Sequence, residues 1–109
     1  MSTTQKQRII EVVNSIPQGK VSSYGEVGKC IGISGWEVGR ILSGLKEDEW
    51  STVAWQRVVA KNGYLSSMKL GFRGNLQKQM LIDEGVKVED DMVDMNKFGI
   101  SLTGFGVSV

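Results

Sequence analysis

The chain has 109 residues, of which 40% are hydrophobic and 23% charged, so we expect one domain with a modest core. No apolar stretch approaches the roughly 20 residues that a membrane helix needs, and the polar N-terminus is unlike a signal peptide, which predicts a soluble cytoplasmic protein. The single cysteine, Cys30, fits a reducing compartment, and the absence of histidine makes catalytic triads and metal sites poor hypotheses.

The net charge of +1 conceals an uneven distribution along the chain. Residues 1–82 hold 11 basic and 6 acidic residues, whereas residues 83–109 hold 2 basic and 6 acidic ones. A basic body with an acidic tail allows a polyanionic partner. An ordinary solvated surface explains the same charges equally well.

Apolar residues near the N-terminus predict a first helix, because they recur at i, i+3, i+4 and i+7. These residues are Ile9, Val12, Val13 and Ile16. Thr3 or Thr4 can cap the start of this helix, and Pro17 follows its end.

Two serine–glutamate pairs then predict two short helices with capping boxes, Ser23–Glu26 and Ser34–Glu37. In each box the serine accepts from the glutamate amide and the glutamate reaches back to the serine amide. A turn that contains Gly32 separates the helices, which is typical of a helix-turn-helix. Two packed helices of a small core fit the pattern equally well.

The polar face of the second helix carries Gly39, Arg40 and Ser43, which suit contact with a phosphate backbone. The alternative for Arg40 is a solvated surface arginine.

The apolar run of residues 53–59 carries Trp55, Gln56 and Arg57 in its middle. Asn62-Gly63 after it is the favoured two-residue turn, which predicts a small β-hairpin between residues 58–60 and 64–65. Residues 66–74 form a predicted polar loop with Lys69 and Arg73, and a helix runs from about Asn75 to Glu84. The acidic and Phe-Gly residues beyond 86 either add an edge strand or remain mobile.

Four blocks resemble, in order and spacing, the DNA-binding domain of the O6-alkylguanine-DNA alkyltransferases. They are residues 17–27 (PQGKVSSYGEV), 38–39 (VG), 54–59 (AWQRVV) and 83–86 (DEGV). The resemblance covers roughly residues 5–88. It implies a mainly α fold with a small β-hairpin, a helix-turn-helix or winged-helix-like DNA-binding domain at residues 1–88 and an unmatched tail at residues 89–109.

The active-site pattern of that family is PCHRV, in which the cysteine takes the alkyl group, the histidine activates it and a glutamate orients the histidine. Here Trp55 and Gln56 stand at the cysteine and histidine positions, and Arg57 and Glu84 match the family's structural arginine and its glutamate. Alkyl transfer needs a thiolate made by an adjacent base, and neither indole nor glutamine supplies one. Cys30 lies elsewhere, so we expect no enzyme, no cofactor and no metal. Tryptophan at the cysteine position resembles the alkyltransferase-like proteins, which bind alkylated guanine in DNA without repairing it and hand the lesion to nucleotide excision repair.

The resemblance also implies DNA contacts, because the family enters the minor groove with the second helix of its helix-turn-helix and rotates the damaged nucleotide into a pocket. Tyr24 matches the tyrosine that presses on the phosphate beside the flipped base, and Trp55 would form the pocket wall. Ser66, Ser67 and the loop up to Phe72 match the segment that closes the pocket. Trp36 stands where the family has an arginine finger. It either wedges into the base stack or is a core or surface residue.

Two functions remain at this point. The first is a non-enzymatic, monomeric sensor of O6-alkylguanine in double-stranded DNA. The second is a DNA-binding or protein-interaction module on the same fold without lesion recognition, with the tail as its contact. Buried core positions are the alternative for Tyr24 and Trp55, and a plain helix-end carboxylate is the alternative for Glu84.

Overall fold

Five α-helices and four two-residue strands form the part of the chain that the computed structural model describes, residues 4–67 and 72–102. The helices are α1 (Gln5–Asn14), α2 (Tyr24–Ile31), α3 (Gly35–Ser43), α4 (Phe72–Asp83) and α5 (Met95–Phe98). The strands are β1 (Ser22–Ser23), β2 (Val58–Val59), β3 (Val88–Glu89) and β4 (Met92–Val93), and short 3-10 helices cover Glu47–Glu49 and Trp55–Arg57. The predicted mainly α fold is confirmed. Within these ranges no helix has both the length and the apolar character needed to span a bilayer.

Helix α1 packs its apolar stripe into the main core, as the spacing predicts. The buried residues of this stripe are Ile9, Val12, Val13 and Ile16. Thr4 caps the helix, because its side chain accepts from the Gln7 amide and the Gln7 side chain accepts from the Thr4 amide. The alternative cap, Thr3, lies outside the described residues.

Helices α2 and α3 form the predicted helix-turn-helix, with residues 32–34 as the turn. The two helices meet almost backbone to backbone. A Cβ on Gly28 would lie 2.3 Å from the carbonyl oxygen of Ile33, and one on Gly35 would lie 3.0 Å from the backbone nitrogen of Gly25. This close approach places the exposed face of α3 beside the N-terminus of α2.

The serine caps of α2 and α3 are present, but the reciprocal half of each predicted capping box is wrong. Each serine accepts a hydrogen bond from the backbone N–H three residues on, in the pairs Ser23–Glu26 (3.1 Å) and Ser34–Glu37 (3.2 Å). The Glu26 carboxylate accepts instead from the backbone N–H of Leu102 at 3.1 Å. The Glu37 carboxylate pairs with Arg40. Glu26 thus has a partner that is distant in the chain, whereas Glu37 pairs with a residue three positions ahead on its own helix.

The predicted β-hairpin around Asn62-Gly63 is wrong in turn type and in strand pairing. The Gly63 N–H donates to the Ala60 carbonyl at 2.8 Å, and the Ala60 N–H donates to the Tyr64 carbonyl at 3.0 Å. Gly63 has a φ of +93°, whereas Asn62 is not among the positive-φ residues, so the connection is the three-residue type with a glycine bulge. Beyond it the segments separate, because β2 pairs in parallel with β1 and Tyr64 bridges to Met92.

Helix α4 begins three residues before the predicted start at Asn75. The loop predicted at residues 66–74 is therefore too long at its C-terminal end, and residues 68–71 lie outside the described residues. The earlier start brings Arg73 into the helix, where its side chain is 8% exposed and donates to backbone carbonyls of α3. These long-range hydrogen bonds are not encoded in local helix signals.

Residues 88–102 pack on the rest of the chain. Strands β3 and β4 form an antiparallel hairpin through Asp90 and Asp91, which both have positive φ. Gly99 bridges in parallel to Val21, and Leu102 is fully buried in the main core. The boundary at residue 88 between a DNA-binding domain and a tail stays a prediction. The tail has two Phe-Gly stretches: residues 98–102 are part of the described fold, whereas residues 103–109, which include the second stretch, lie outside the described residues.

Candidate nucleic-acid interface

A cavity of about 600 Å³ opens between α3, the N-terminus of α2, the 3-10 helix at Trp55–Arg57 and the start of α4. Its volume lies within the roughly 300–1,000 Å³ of small-molecule sites. All eight residues predicted to contact DNA or a base lie in its wall: Tyr24, Trp36, Gly39, Arg40, Ser43, Trp55, Ser66 and Ser67. The structure thus brings together residues from four separate segments, and their binding roles stay predictions.

Trp55 forms an apolar wall of this cavity and is only 4% exposed. Its indole N–H donates to the Trp50 carbonyl at 3.2 Å. The Trp50 ring lies tilted by 55° to it, with 6.3 Å between the ring centroids. Because its polar atom is satisfied inside the protein, Trp55 presents carbon and π surface to the cavity.

Tyr24 and the two serines form the polar edge of the cavity. The Ser66 hydroxyl donates to the Tyr24 hydroxyl at 3.2 Å, and the Ser67 hydroxyl donates to Oε1 of Gln77. Gln77 is 1% exposed and donates to the carbonyls of Gln56 and Val58, both at 3.1 Å. It therefore ties Ser67 to the segment that carries Trp55. Residues 68–71 of the predicted pocket-closing loop lie outside the described residues.

The exposed face of α3 borders the cavity on the solvent side. Trp36 is 75% exposed, so the alternative of a core position for it is excluded. Arg40 donates from Nε and Nη2 to the two carboxylate oxygens of Glu37, each at 2.9 Å. The Ser43 hydroxyl donates to the Arg40 carbonyl, and a Cβ on Gly39 would lie 3.7 Å from the Tyr24 ring. This face combines an exposed aromatic ring, a cation and small residues.

Gln56, Arg57 and Glu84 form a cluster beneath the cavity. Gln56 Nε2 donates to Glu84 Oε2 at 2.8 Å, Arg57 Nε donates to Oε1 at 2.9 Å, and the backbone N–H of Gly19 donates to Oε1 at 3.1 Å. Burial favours the neutral acid and raises the pKa of Glu84, but the hydrogen bonds and the Arg57 charge outweigh it and leave this pKa below its usual value. Arg57 also donates to the Ile16 carbonyl, so the cluster connects three chain segments. Gln56 Oε1 is buried without a partner among the described residues.

Trp50 and Arg73 also shape this site, although no sequence pattern marks them as site residues. The Arg73 guanidinium lies 4.9 Å from the Trp50 ring centroid and 5.0 Å from that of Trp55. It donates to the carbonyls of Leu42 and Ser43 at the end of α3. Spacing gave no signal for this stack, because its members lie on three separate segments. If α4 is predicted to begin before Arg73, then Arg73 and Gln77 stand at i and i+4 and lie on one face of the helix. This is the one sequence signal that could have placed both residues at the site.

Cys30 is remote from this chemistry. Its thiol donates to the Leu102 carbonyl at 3.4 Å and is not part of the cavity wall. Burial and the Glu26 charge both raise its pKa, which disfavours the nucleophilic thiolate. Among the described residues, no group of three or more His, Cys, Asp or Glu side chains could hold a metal ion.

Comparison with known proteins points to one family. The profile of the 6-O-methylguanine DNA methyltransferase DNA-binding domain matches residues 4–86. A DNA base-flipping protein of Vibrio parahaemolyticus is 38% identical over 88 residues, which are 76% of this chain and 81% of the relative. Alkyltransferase-like protein 1 of Schizosaccharomyces pombe is 31% identical over 83 residues, 74% of this chain and 75% of the relative.

A solved structure shares the fold. It is that of S. pombe Atl1 in complex with damaged DNA containing O6-carboxymethylguanine, with a TM-score of 0.75 and 24% identity over 91% of this chain and 99% of that one. With this fold, the matched profile and these relatives, the chain belongs to the alkyltransferase-like proteins, relatives of the DNA-binding domain of the 6-O-methylguanine DNA methyltransferases.

Proposed function

We propose that this protein is a non-enzymatic sensor that binds double-stranded DNA containing O6-alkylguanine and takes the damaged base into the cavity beside Trp55. The observation that carries the proposal is this cavity of about 600 Å³, whose wall includes Trp55 and Tyr24 and whose mouth is the exposed face of α3. The relatives named DNA base-flipping proteins, and the S. pombe complex with damaged DNA, support it.

The cavity wall suits an unstacked purine. The buried indole of Trp55 offers an apolar surface for the base or its alkyl group, and stacking of a base on an aromatic ring contributes roughly 1 to 3 kcal/mol. Tyr24 lies at the first residue of α2 with its hydroxyl hydrogen-bonded to Ser66. In the proposed complex this tyrosine presses on the phosphate beside the flipped nucleotide, and Ser66 and Ser67 border the bound base.

The exposed face of α3 supplies the groove contact in this proposal. Trp36 projects into solvent beside the cavity mouth and would fill the gap that the rotated base leaves in the stack. Gly39 and Ser43 allow the phosphate backbone to approach the helix, and Arg40 adds a cation that Glu37 holds in place. Base rotation costs a few kcal/mol of lost stacking, which the wedge would partly offset.

The proposal includes no chemical step on the DNA. The buried indole of Trp55 is not a nucleophile, the sequence has no histidine, and the Cys30 thiol lies outside the cavity wall. The bound lesion would instead be held and passed to nucleotide excision repair. A cytoplasmic, DNA-associated location and a monomeric state stay predictions of the same proposal.

The test compares two duplexes that differ only in one O6-methylguanine, titrated with the protein at one salt concentration because DNA affinity depends steeply on salt. We expect the damaged duplex to bind about tenfold tighter or more, since a damaged base costs less to unpair and its methyl group adds apolar surface against Trp55. Equal affinities would reject the sensor and favour the module without lesion recognition.

A second measurement addresses catalysis. A duplex labelled on the O6-methyl group is incubated with the protein, and the label is then followed in the separated DNA and protein. We expect all of the label to stay on the DNA, because no activated thiolate faces the cavity. Label on the protein would overturn the non-enzymatic part of the proposal.

A further inference from the structure

Arg73 is a buried cation in the cavity wall. It is the second residue of α4, its side chain is 8% exposed, and it lines the cavity together with Trp55. Its Nη1 and Nη2 donate to the carbonyls of Ser43 and Leu42 at 2.9 and 2.8 Å. Its Cζ lies about equally far from the Trp50 and Trp55 rings, at 4.9 and 5.0 Å.

This cation has no carboxylate partner in the described part of the chain. No described Asp or Glu side chain forms an ion pair with Arg73, and the described lining of the cavity holds Arg40, Lys61 and Arg73 but no acidic residue. Within the ranges that the structure describes, carbonyl dipoles and indole faces balance the charge. Burial lowers the pKa of Arg73, which Tyr24 partly opposes, yet a guanidinium remains charged at neutral pH. A buried charge without a counter-ion favours an anion that enters the same cavity.

The guanidinium also keeps donors for such an anion. Arginine has five N–H groups in a planar fork, and two of them are used by the carbonyls of α3. A carboxylate matches this fork well. The guanidinium carbon lies 5.0 Å from the centre of the Trp55 ring, and both residues line the cavity, so a group bound in the cavity beside Trp55 also lies near Arg73.

We propose that Arg73 makes the cavity selective for guanine whose O6 substituent carries a carboxylate over guanine with a neutral substituent of the same size. This inference rests on the proposed function, since the O6 substituent of the flipped base is the group that would lie against Trp55. Backbone phosphates are also anions, but they are the same in every duplex of one sequence. A comparison of lesions within one sequence therefore isolates the substituent.

The experiment uses the full chain and three duplexes of one sequence, which contain guanine, O6-carboxymethylguanine or its neutral amide, O6-carbamoylmethylguanine, at one position. Dissociation constants are measured by fluorescence anisotropy at one salt concentration. We expect the carboxylate to bind about tenfold tighter than the amide, as for a hydrogen bond to a charged group. If the two lesions bind equally but tighter than guanine, this inference fails and the proposed function stands. If all three duplexes bind equally, both fail.

Variants assign the selectivity to Arg73. Arg73→Gln should lower the carboxylate-to-amide ratio to about one, and Arg73→Lys, which keeps the charge but loses the fork, should lower it partly. Arg8→Gln on the exposed face of α1 changes the net charge equally and should keep the ratio of the unchanged protein. Circular dichroism confirms that each variant is folded. If Arg73→Gln does not fold, Arg73→Lys decides. An unchanged carboxylate-to-amide ratio in the folded variant would contradict the proposal. Arg73 would then serve only to bind the carbonyls at the end of α3.

Discussion

Trp55 is a buried indole at the position that the sequence resemblance matches to the alkyl-accepting cysteine of the alkyltransferases. The Trp55 N–H is satisfied by the Trp50 carbonyl, and its ring is in contact range of Trp50 and Arg73. The side chain is thus held in place before any base arrives. A wall that needs no ordering on binding retains more of its contact energy as affinity. In the proposed function this fixed surface serves to recognise a base and takes part in no chemical step.

Trp36 contrasts with Trp55, because it is 75% exposed and has no packing role to explain it. We predict that Trp36→Ala lowers the affinity for a duplex with O6-methylguanine about tenfold, since one aromatic contact with a base contributes roughly 1 to 3 kcal/mol. Fluorescence anisotropy measures the affinity. The free energy of unfolding should change by less than about 0.5 kcal/mol, as for other surface substitutions.

Two controls separate the wedge from general DNA contact. Trp36→Phe keeps an aromatic ring and should retain most of the affinity. Met92→Ala removes another exposed apolar side chain that is not part of the cavity wall, and it should leave the affinity unchanged. The proposed role of Trp36 as a wedge in the base stack is wrong if Trp36→Ala binds the lesion as tightly as the original protein.

At the scale of the elements, the contact between α2 and α3 depends on glycine. A Cβ on Gly28 would lie 2.3 Å from the Ile33 carbonyl oxygen, which is shorter than any allowed contact. We predict that Gly28→Ala destabilises the protein by about 1 to 3 kcal/mol, because the turn must open to admit the methyl group. Urea unfolding followed by circular dichroism measures this loss.

Gly25→Ala in the same helix is the matched control. Its Cβ would meet only the Ser23 hydroxyl oxygen, at 3.8 Å, and alanine has a higher helix propensity than glycine. This variant should be as stable as the original protein or slightly more stable. Equal destabilisation by the two alanines would show that general crowding along α2, rather than the close contact with the turn at Gly28, dominates.

The elements differ in how far the sequence could predict them. Helices α1, α2 and α3 follow from local periodicity and serine or threonine caps, and these signals also brought Trp36, Gly39 and Arg40 to one face. The start of α4 and the partner of β2 depend on long-range contacts. Arg73 is placed by carbonyls that lie 30 and 31 residues away, and β2 pairs with the distant Ser22–Ser23. The local turn signal at Asn62-Gly63 predicts neither the start of α4 nor the partner strand of β2.

At the scale of the whole molecule, residues beyond the region that resembles the family complete the main core. Leu102 is fully buried, its carbonyl accepts from the Cys30 thiol, and its N–H donates to Glu26. We predict that Leu102→Ala destabilises the protein by about 3 kcal/mol, as for other fully buried leucines. Ile82→Ala removes a similar side chain that is 45% exposed and should cost less than about 0.5 kcal/mol.

The comparison of these two variants tests whether residues 99–102 are part of the folded unit. Urea unfolding of both gives the difference directly. If Leu102→Ala loses no more stability than Ile82→Ala, the C-terminal segment contributes little to the core. A large loss in Leu102→Ala alone would mean that a chain cut at residue 88 lacks part of its own core.

The cluster around Glu84 joins three distant segments and makes the stability of the molecule depend on pH. Its carboxylate accepts from Gln56, Arg57 and the Gly19 amide, and the side chains of Arg57 and Glu84 are only 17% and 10% exposed. Because these contacts favour the ionised form, the pKa of Glu84 in the folded protein lies below its ordinary value of 4.5. The stabilisation is therefore complete well above pH 4.5 and is lost as the pH falls through the lower, folded-state pKa.

We predict that Glu84→Gln lowers the free energy of unfolding by on the order of 3 kcal/mol at neutral pH, because Arg57 is left as a largely buried cation without its counter-ion. This deficit should shrink as the pH falls below 4.5 and towards the lower pKa of folded Glu84, where the original carboxylate also becomes neutral. Urea unfolding of both proteins across the acid range measures it. Glu11→Gln, on the exposed face of α1, should show no comparable deficit at any pH. A deficit in Glu84→Gln that stays constant down to acid pH would mean that the shape of the side chain, and not its charge, holds the three segments together.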